Sequence, residues 1–171
     1  MNKIALMLSD YYRFFLSLIL GKPSNFSMVE GCLYASGIPA GSRAIRWLKK
    51  VGVDAVISLT ERPINRFNEF NTYYNIPMVN GAPADPQTLE RAVLKINDLI
   101  KGGHCVLVHC SAGLGRTGMV VASYLIYSKH MSPEEALYKI KSIRPGSLRD
   151  KEQIKSVYKF AEWIKPMVDY K

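Results

Sequence analysis

Only three cysteines occur among 171 residues, Cys32, Cys105 and Cys110, too few and odd in number for a disulfide scaffold. Their scarcity points to a reducing, cytoplasmic setting. Acidic residues are also short: 14 Asp+Glu face 23 Lys+Arg, a net charge of +9. That balance favours an anionic partner, whether phosphorylated substrate, nucleic acid or membrane surface. No zinc-ligand spacing and no aromatic RNA-binding motif occurs, so no nucleic-acid partner is expected. The 12 glycines and 9 prolines follow no period, which excludes collagen-like and low-complexity sequence. A hydrophobic fraction of 48% with 22% charge excludes a disordered chain. One domain is expected, at about 100–200 residues per domain, able to bury roughly 70% of its unfolded surface.

A long uninterrupted apolar run is missing too. From Ile4 to Leu20 the chain is apolar except for Ser9, Asp10, Arg13 and Ser17. Charge at the middle of so short a stretch argues against a transmembrane helix, and the lack of a small-residue cleavage site argues against a secretory signal. We read residues 1–22 as a separate apolar helix ahead of a domain over 23–171. Ser9, Arg13 and Ser17 share one helical face with Asp10 beside them, leaving a wide apolar face. That face is expected to dock on the domain. A second reading is peripheral membrane contact, helped by Lys3 and Lys22. Lys22-Pro23-Ser24-Asn25 is the hinge.

What is present after the hinge is an alternation of strands and helices. Phe26–Val29 and Cys32–Ala35 form an opening hairpin about Gly31. Ser42 is expected to cap a helix ending at Gly52. The runs 53–59 and 105–109 are apolar and of strand length, as for strands covered on both faces. Residues 63–71 read as irregular or a short helix, and Tyr73–Met78 as a further strand. Helices are predicted over 86–101, 116–130, 133–143 and 150–168, the first opening at Pro86 with a stripe of Leu89, Val93, Ile96 and Ile100. This order means an α/β fold, a central, mostly parallel sheet with helices on both faces. Ligands of such sheets bind past the carboxyl ends of strands, which directs attention to the residues after His109.

Those residues are His109-Cys110-Ser111-Ala112-Gly113-Leu114-Gly115-Arg116-Thr117-Gly118. A loop ending at a helix N-terminus turns several backbone N–H groups inward and adds the positive end of the helix dipole, which makes an oxyanion cradle from Ser111 to Gly115. Gly113 and Gly115 permit conformations and close approaches closed to other residues. Arg116 can hold two phosphoryl oxygens with its planar fork. Cys110 lies on the floor, where the field favours a thiolate, an activated nucleophile for phosphoryl transfer. His109 is expected to orient the loop by hydrogen bonding, and the Thr117 hydroxyl to assist Cys110 as leaving group. Cys105 lies five positions from Cys110 on one strand, hence on the opposite face. It is read as core, as is Cys32.

This motif resembles that of the cysteine-dependent protein tyrosine phosphatases, and the chain length resembles their small, atypical dual-specificity branch. The likeness extends to Pro23-Ser24-Asn25-Phe26-Ser27, Ser58-Leu59-Thr60-Glu61-Arg62 and Arg144-Pro145-Gly146-Ser147, and covers about residues 23–165. It implies a three-layer phosphatase fold, a phosphocysteine intermediate, no metal and no cofactor, and a phosphorylated protein or peptide as substrate for a monomeric enzyme. It also assigns Gln153 to positioning the attacking water.

The family pattern fails at one place. Its general acid is an aspartate about thirty residues before the cysteine, ahead of a Pro-containing loop. Here Val79-Asn80-Gly81-Ala82-Pro83 occupies that place, with Asn80 thirty positions before Cys110. Asparagine cannot donate a proton as a carboxylic acid does, and acid catalysis contributes about 10²–10⁴ in rate. Three readings stay open. Asp85 swings in as the acid, although before Pro86 it also suits a helix N-cap. Alternatively the chain is an Asp-to-Asn form of an active enzyme that traps substrate. Otherwise it is a slow enzyme or a phosphoprotein-binding module. Asp54 and Glu61 are read as structural. The function expected is dephosphorylation of phosphotyrosine, with phosphoserine and phosphothreonine as further substrates. Arg43, Arg46, Lys49 and Lys50 are read as a solvated helix face.

Overall fold

Apolar four-residue runs build the middle of the sheet. In the computed structural model β3 (Ala55–Ser58) and β5 (Val106–His109) are buried at every position, as expected of strands covered on both faces. The structure describes residues 3–168, apart from the side chains of 3–7, 9, 10, 13, 68, 167 and 168. The expected placements of Lys3, Ser9, Asp10 and Arg13 lie outside the described residues. β1 (Ser27–Glu30), β2 (Leu33–Ser36) and β4 (Thr72–Asn75) complete a sheet of order β1-β2-β5-β3-β4. Only β1 and β2 pair antiparallel; the other neighbours are parallel. The last strand is shorter than the expected 73–78, ending before Pro77, which has no N–H for a ladder.

β5 alternates its side chains between two cores. Val106 and Val108 enter the larger one, with Leu89, Ile96, Met119 and Phe160; Leu107 enters the smaller one, with Ile45, Leu48 and Phe67. The larger core is closed by α3 (Pro86–Lys101), α4 (Arg116–Lys129), α5 (Pro133–Ile143) and α6 (Lys151–Val168). α4 is buried from Arg116 through Ile126 and has α3, α5 and α6 packed around it. The smaller core is closed by α2 (Gly41–Lys50) and a 3₁₀ segment, Asn65–Glu69. His109 stands level with Ser36 of β2 and Ser58 of β3, so the chain leaves the carboxyl edge at the centre of the sheet.

Three expectations are corrected. The N-cap of α2 is Ala40, not Ser42, and no side chain caps it; the Ala40 N–H donates to Ser17 Oγ at 3.1 Å. Cys32 and Cys105 are not separate core positions. The parallel register that sets Leu33 beside Val106 also sets Cys32 beside Cys105, where they form a disulfide with Cα atoms 4.4 Å apart. Finally, α1 (Lys3–Leu20) docks by the opposite face from the one expected. Ser17 is 1% exposed against α2, whereas Tyr11, Phe15 and Ile19 are 69%, 59% and 55% exposed. The amphipathic pattern identifies an apolar face but not which face meets the domain. No helix among the described residues is long and apolar enough to cross a membrane.

Candidate active site

The loop between β5 and α4 takes its shape from bonds made on its outside. The carbonyl of Ser111 accepts the Ile38 N–H at 2.9 Å, that of Ala112 accepts Asn25 Nδ2 at 2.7 Å, and that of Gly113 accepts Arg144 Nη2. In a trans peptide the N–H points opposite to the C=O. Three successive carbonyls turned outward therefore turn the N–H groups of Ala112, Gly113 and Leu114 inward. One of these inward bonds is made already: the Gly113 N–H donates to Cys110 Sγ at 3.2 Å. Cys110 is buried and is the free cysteine of the chain.

Gly113 and Gly115 serve different ends. Gly113 has φ +77°, and a Cβ there would lie 2.3 Å from the Gly37 nitrogen, so both conformation and space demand glycine. Gly115 has φ −80°, open to any residue. A Cβ there would stand 2.7 Å from Gln153 Oε1, the far end of a side chain that would have to shift to admit it. Gln153 is thus buried against the loop, its Nε2 3.4 Å from the Ala82 carbonyl.

Arg116 opens α4 and its guanidinium is buried and held on one side. Nη1 donates to the carbonyls of Leu59 at 3.1 Å and Met78 at 3.0 Å and to Glu61 Oε2 at 3.0 Å, while Nη2 donates to Ser111 Oγ at 2.8 Å. Nε is buried and has no partner among the described residues. A buried guanidinium with an N–H free of partners among the described residues, in a loop with inward amides, is an arrangement chemically suited to holding an anion.

His109 is fully buried, edge-on to Phe67 with ring centroids 4.9 Å apart, and its Nδ1 lies 3.1 Å from the Cys110 carbonyl. Burial pushes its pKa down to about 4; the Cys110 carbonyl opposes this, and the Arg116 charge adds to it. The ring is therefore neutral, with Nδ1–H donating to the loop. The Thr117 hydroxyl is buried and has no hydrogen-bond partner among the described residues.

The two acid candidates sit apart in role. The exposed Asn80 gives its backbone N–H to Glu61 Oε1 at 2.8 Å. Asp85 is the N-cap of α3: Oδ1 accepts the Thr88 N–H at 2.7 Å and Oδ2 accepts the Thr88 hydroxyl at 2.8 Å. Burial raises its pKa, but the Thr88 bonds, with Arg91, outweigh this and hold it below the ordinary value. Both oxygens are committed to the cap, so Asp85 stands as a poor proton donor in this arrangement.

Two further residues join the site. Glu61, read from sequence as structural, grips Arg116. Arg144 is buried and donates to the carbonyls of Asn25 at 2.8 Å and Ala35 at 2.9 Å, to Ser27 Oγ and to Gly113. Burial lowers its pKa to about 10, against the opposing influence of Cys110, and leaves it charged at neutral pH. The sequence carried no local signal for either role beyond their place in stretches shared with the phosphatases. Among the described residues no cluster of His, Cys, Asp and Glu could hold a metal ion.

A profile of the family described as dual specificity phosphatase, catalytic domain, matches residues 34–162. The chain belongs to this family. It is 32% identical over 146 residues to protein tyrosine phosphatase type IVA 3 of Mus musculus, covering 82% of this chain and 76% of that protein. It is 37% identical over 62 residues to protein tyrosine phosphatase domain-containing protein 1 of Danio rerio, 36% of this chain but only 9% of that much longer protein. Among solved structures Tk-PTP in its active form superposes with a TM-score of 0.73 at 27% identity, covering 81% of this chain and 97% of that one. Human DUSP28 superposes at 0.70 with 19% identity over 84% of this chain and 97% of its own, a likeness of fold.

Proposed function

We propose that this family member hydrolyses phosphomonoesters of proteins, phosphotyrosine first and phosphoserine and phosphothreonine after it, through a phosphocysteine on Cys110. The observation that carries the reading is the loop after Cys110, whose outward carbonyls turn successive N–H groups inward, one of them onto Cys110 Sγ, and which leads into Arg116, whose buried Nε has no partner among the described residues. In the first step the Cys110 thiolate attacks phosphorus. The S–P bond forms as the ester P–O bond breaks, and the leaving oxygen takes its electron pair. Amides and guanidinium hold the equatorial oxygens, where the charge of the transition state resides. In the second step water, positioned by Gln153, attacks phosphorus and passes its proton to a phosphoryl oxygen as the S–P bond breaks and Cys110 leaves as the thiolate; the Thr117 hydroxyl, which makes no hydrogen bond among the described residues, would have to turn toward the sulfur to assist. His109 serves as a positioning residue for the loop.

The leaving oxygen receives little help. Asn80 has no acidic proton, and Asp85 caps a helix. The enzyme is accordingly slow on alkyl and phenyl esters and faster on esters whose oxygen leaves unprotonated. The same weakness favours a second reading, a phosphoprotein-binding module. Burst and steady-state kinetics with substrate in excess decide between them. An enzyme releases phosphate repeatedly from p-nitrophenyl phosphate and loses this with Cys110→Ser. A module binds phosphopeptide and stops at or before one equivalent.

A further inference from the structure

We infer that α1 is an interfacial helix and that its exposed face docks on an anionic lipid surface. The exposed residues Leu8, Tyr11, Tyr12, Phe15, Leu18 and Ile19 recur at helical spacing of three and four, one continuous apolar stripe. The helix spends its polar Ser17 on the domain and turns its apolar face to solvent, the reverse of a helix stabilised by its own fold. Phe14 and Gly21, on the docked side, meet Arg66 and Arg43 respectively: the Arg66 guanidinium lies 6.0 Å from the Phe14 ring centre, and a Cβ at Gly21 would lie 3.3 Å from the Arg43 side chain.

Charge decides the occupant. The first 50 residues hold seven basic residues and two acidic ones, and Asp10 is the one acidic residue before Glu30. Lys22, Arg43, Arg46 and Lys50 are exposed on α2 and on the turn that ends α1. An exposed apolar stripe on a helix packed against the cation-bearing α2 matches a leaflet carrying anionic headgroups, which gains about 1 kcal/mol per cation near the surface. A second copy of this chain would bring the same cations against themselves. The docked face also adjoins the site. A groove of about 560 Å³ runs under α1 from Tyr12 and Leu20 past Lys22 to Phe26 and Asn25, and Asn25 bonds the loop above Cys110.

The test is sedimentation of the full chain with phosphatidylcholine vesicles with and without phosphatidylserine, across a salt series. We expect binding to the anionic vesicles, weakening as salt rises, and little to the neutral ones. Lys22→Gln and Arg46→Gln should each weaken it roughly fivefold. Phe15→Glu with Ile19→Glu should abolish it while hydrolysis of p-nitrophenyl phosphate is unchanged, and Cys110→Ser should bind like the unaltered chain. Equal binding to both vesicle types, no binding, or a solution dimer dispersed by the Glu substitutions would overturn the proposal. The lipid and salt comparison on the unaltered chain stands even where the double variant fails to fold.

Discussion

Glu61 ties Arg116 to the loop that carries Asn80. Its Oε2 lies 3.0 Å from Arg116 Nη1, and its Oε1 accepts the Asn80 N–H at 2.8 Å. One carboxylate therefore holds the Arg116 fork and anchors the backbone at Asn80. Burial raises the Glu61 pKa, but the bonds from its own N–H, from Asn80 and from Arg116 outweigh it and leave it below 4.5.

Glu61→Ala is expected to lower kcat/KM by a factor of roughly 5–30, about 1–2 kcal/mol, with the larger share in kcat. The loss is bounded because Arg116 Nη1 keeps the Leu59 and Met78 carbonyls. The half-exposed carboxylate contributes to stability only modestly. A group whose folded pKa is depressed contributes above its unfolded pKa and loses that contribution as pH falls through the folded value. Comparing the unaltered chain with Glu61→Gln below pH 4.5 should show a smaller acid-induced loss of Tm in the variant.

His109 gives a second pH dependence with a different window. Its pKa falls from 6.5 in the unfolded chain to about 4 when buried. The unfolded state therefore binds the proton first, so stability is full above 6.5 and declines as pH falls from there toward 4. The expected loss is of order 3 kcal/mol at the bottom of that window. Urea titrations at several pH values check it: the decline should be much shallower in His109→Asn, which starts from lower stability because a buried ring is lost.

The loop was legible in the sequence because everything it needs lies within ten residues, His109 through Gly118. A strand end, a glycine at positive φ and an arginine opening a helix are all local features. What holds the loop was not legible. Arg144 lies 31 residues from Gly113 and 119 from Asn25, and its role exists only once β1, β2 and the loop come together. The Cys32–Cys105 pairing likewise follows from the register of β2 on β5, which no spacing rule reports. Gly115 reads from sequence as giving both backbone freedom and close approach; its φ of −80° needs no glycine, and the space beside it is taken by the Gln153 side chain arriving from α6.

Gly113→Ala tests the outward-carbonyl arrangement. The substitution puts a Cβ 2.3 Å from the Gly37 nitrogen at a φ of +77° that side chains rarely adopt, so the Gly113 peptide must turn. Turning it withdraws the N–H from Cys110 and the carbonyl from Arg144. We expect turnover to fall at least a hundredfold, the scale of losing one preorganised oxyanion donor. Vanadate affinity should fall in parallel while the far-ultraviolet circular dichroism is kept. Arg144→Lys, which retains the charge but has no fork to span four acceptors, should move the same readouts less.

The missing acid yields the sharpest contrast. If the leaving oxygen departs without a proton, log kcat/KM depends steeply on the acidity of the leaving group, and p-nitrophenyl phosphate far outruns phosphotyrosine. Asn80→Asp supplies a carboxyl group at the position of the family acid and should raise phosphotyrosine turnover by about 10²–10⁴ while changing p-nitrophenyl phosphate little. The slope against leaving-group acidity should flatten, and a basic limb should appear in the pH–rate profile as the new acid ionises. Asp85→Asn should leave slope and pH profile alone and act on stability, at about 1 kcal/mol or less, because an asparagine still accepts the Thr88 N–H as a cap. A basic limb present in the unaltered chain and absent from Asp85→Asn would instead make Asp85 the proton donor, which requires its carboxyl to leave the Thr88 cap during turnover.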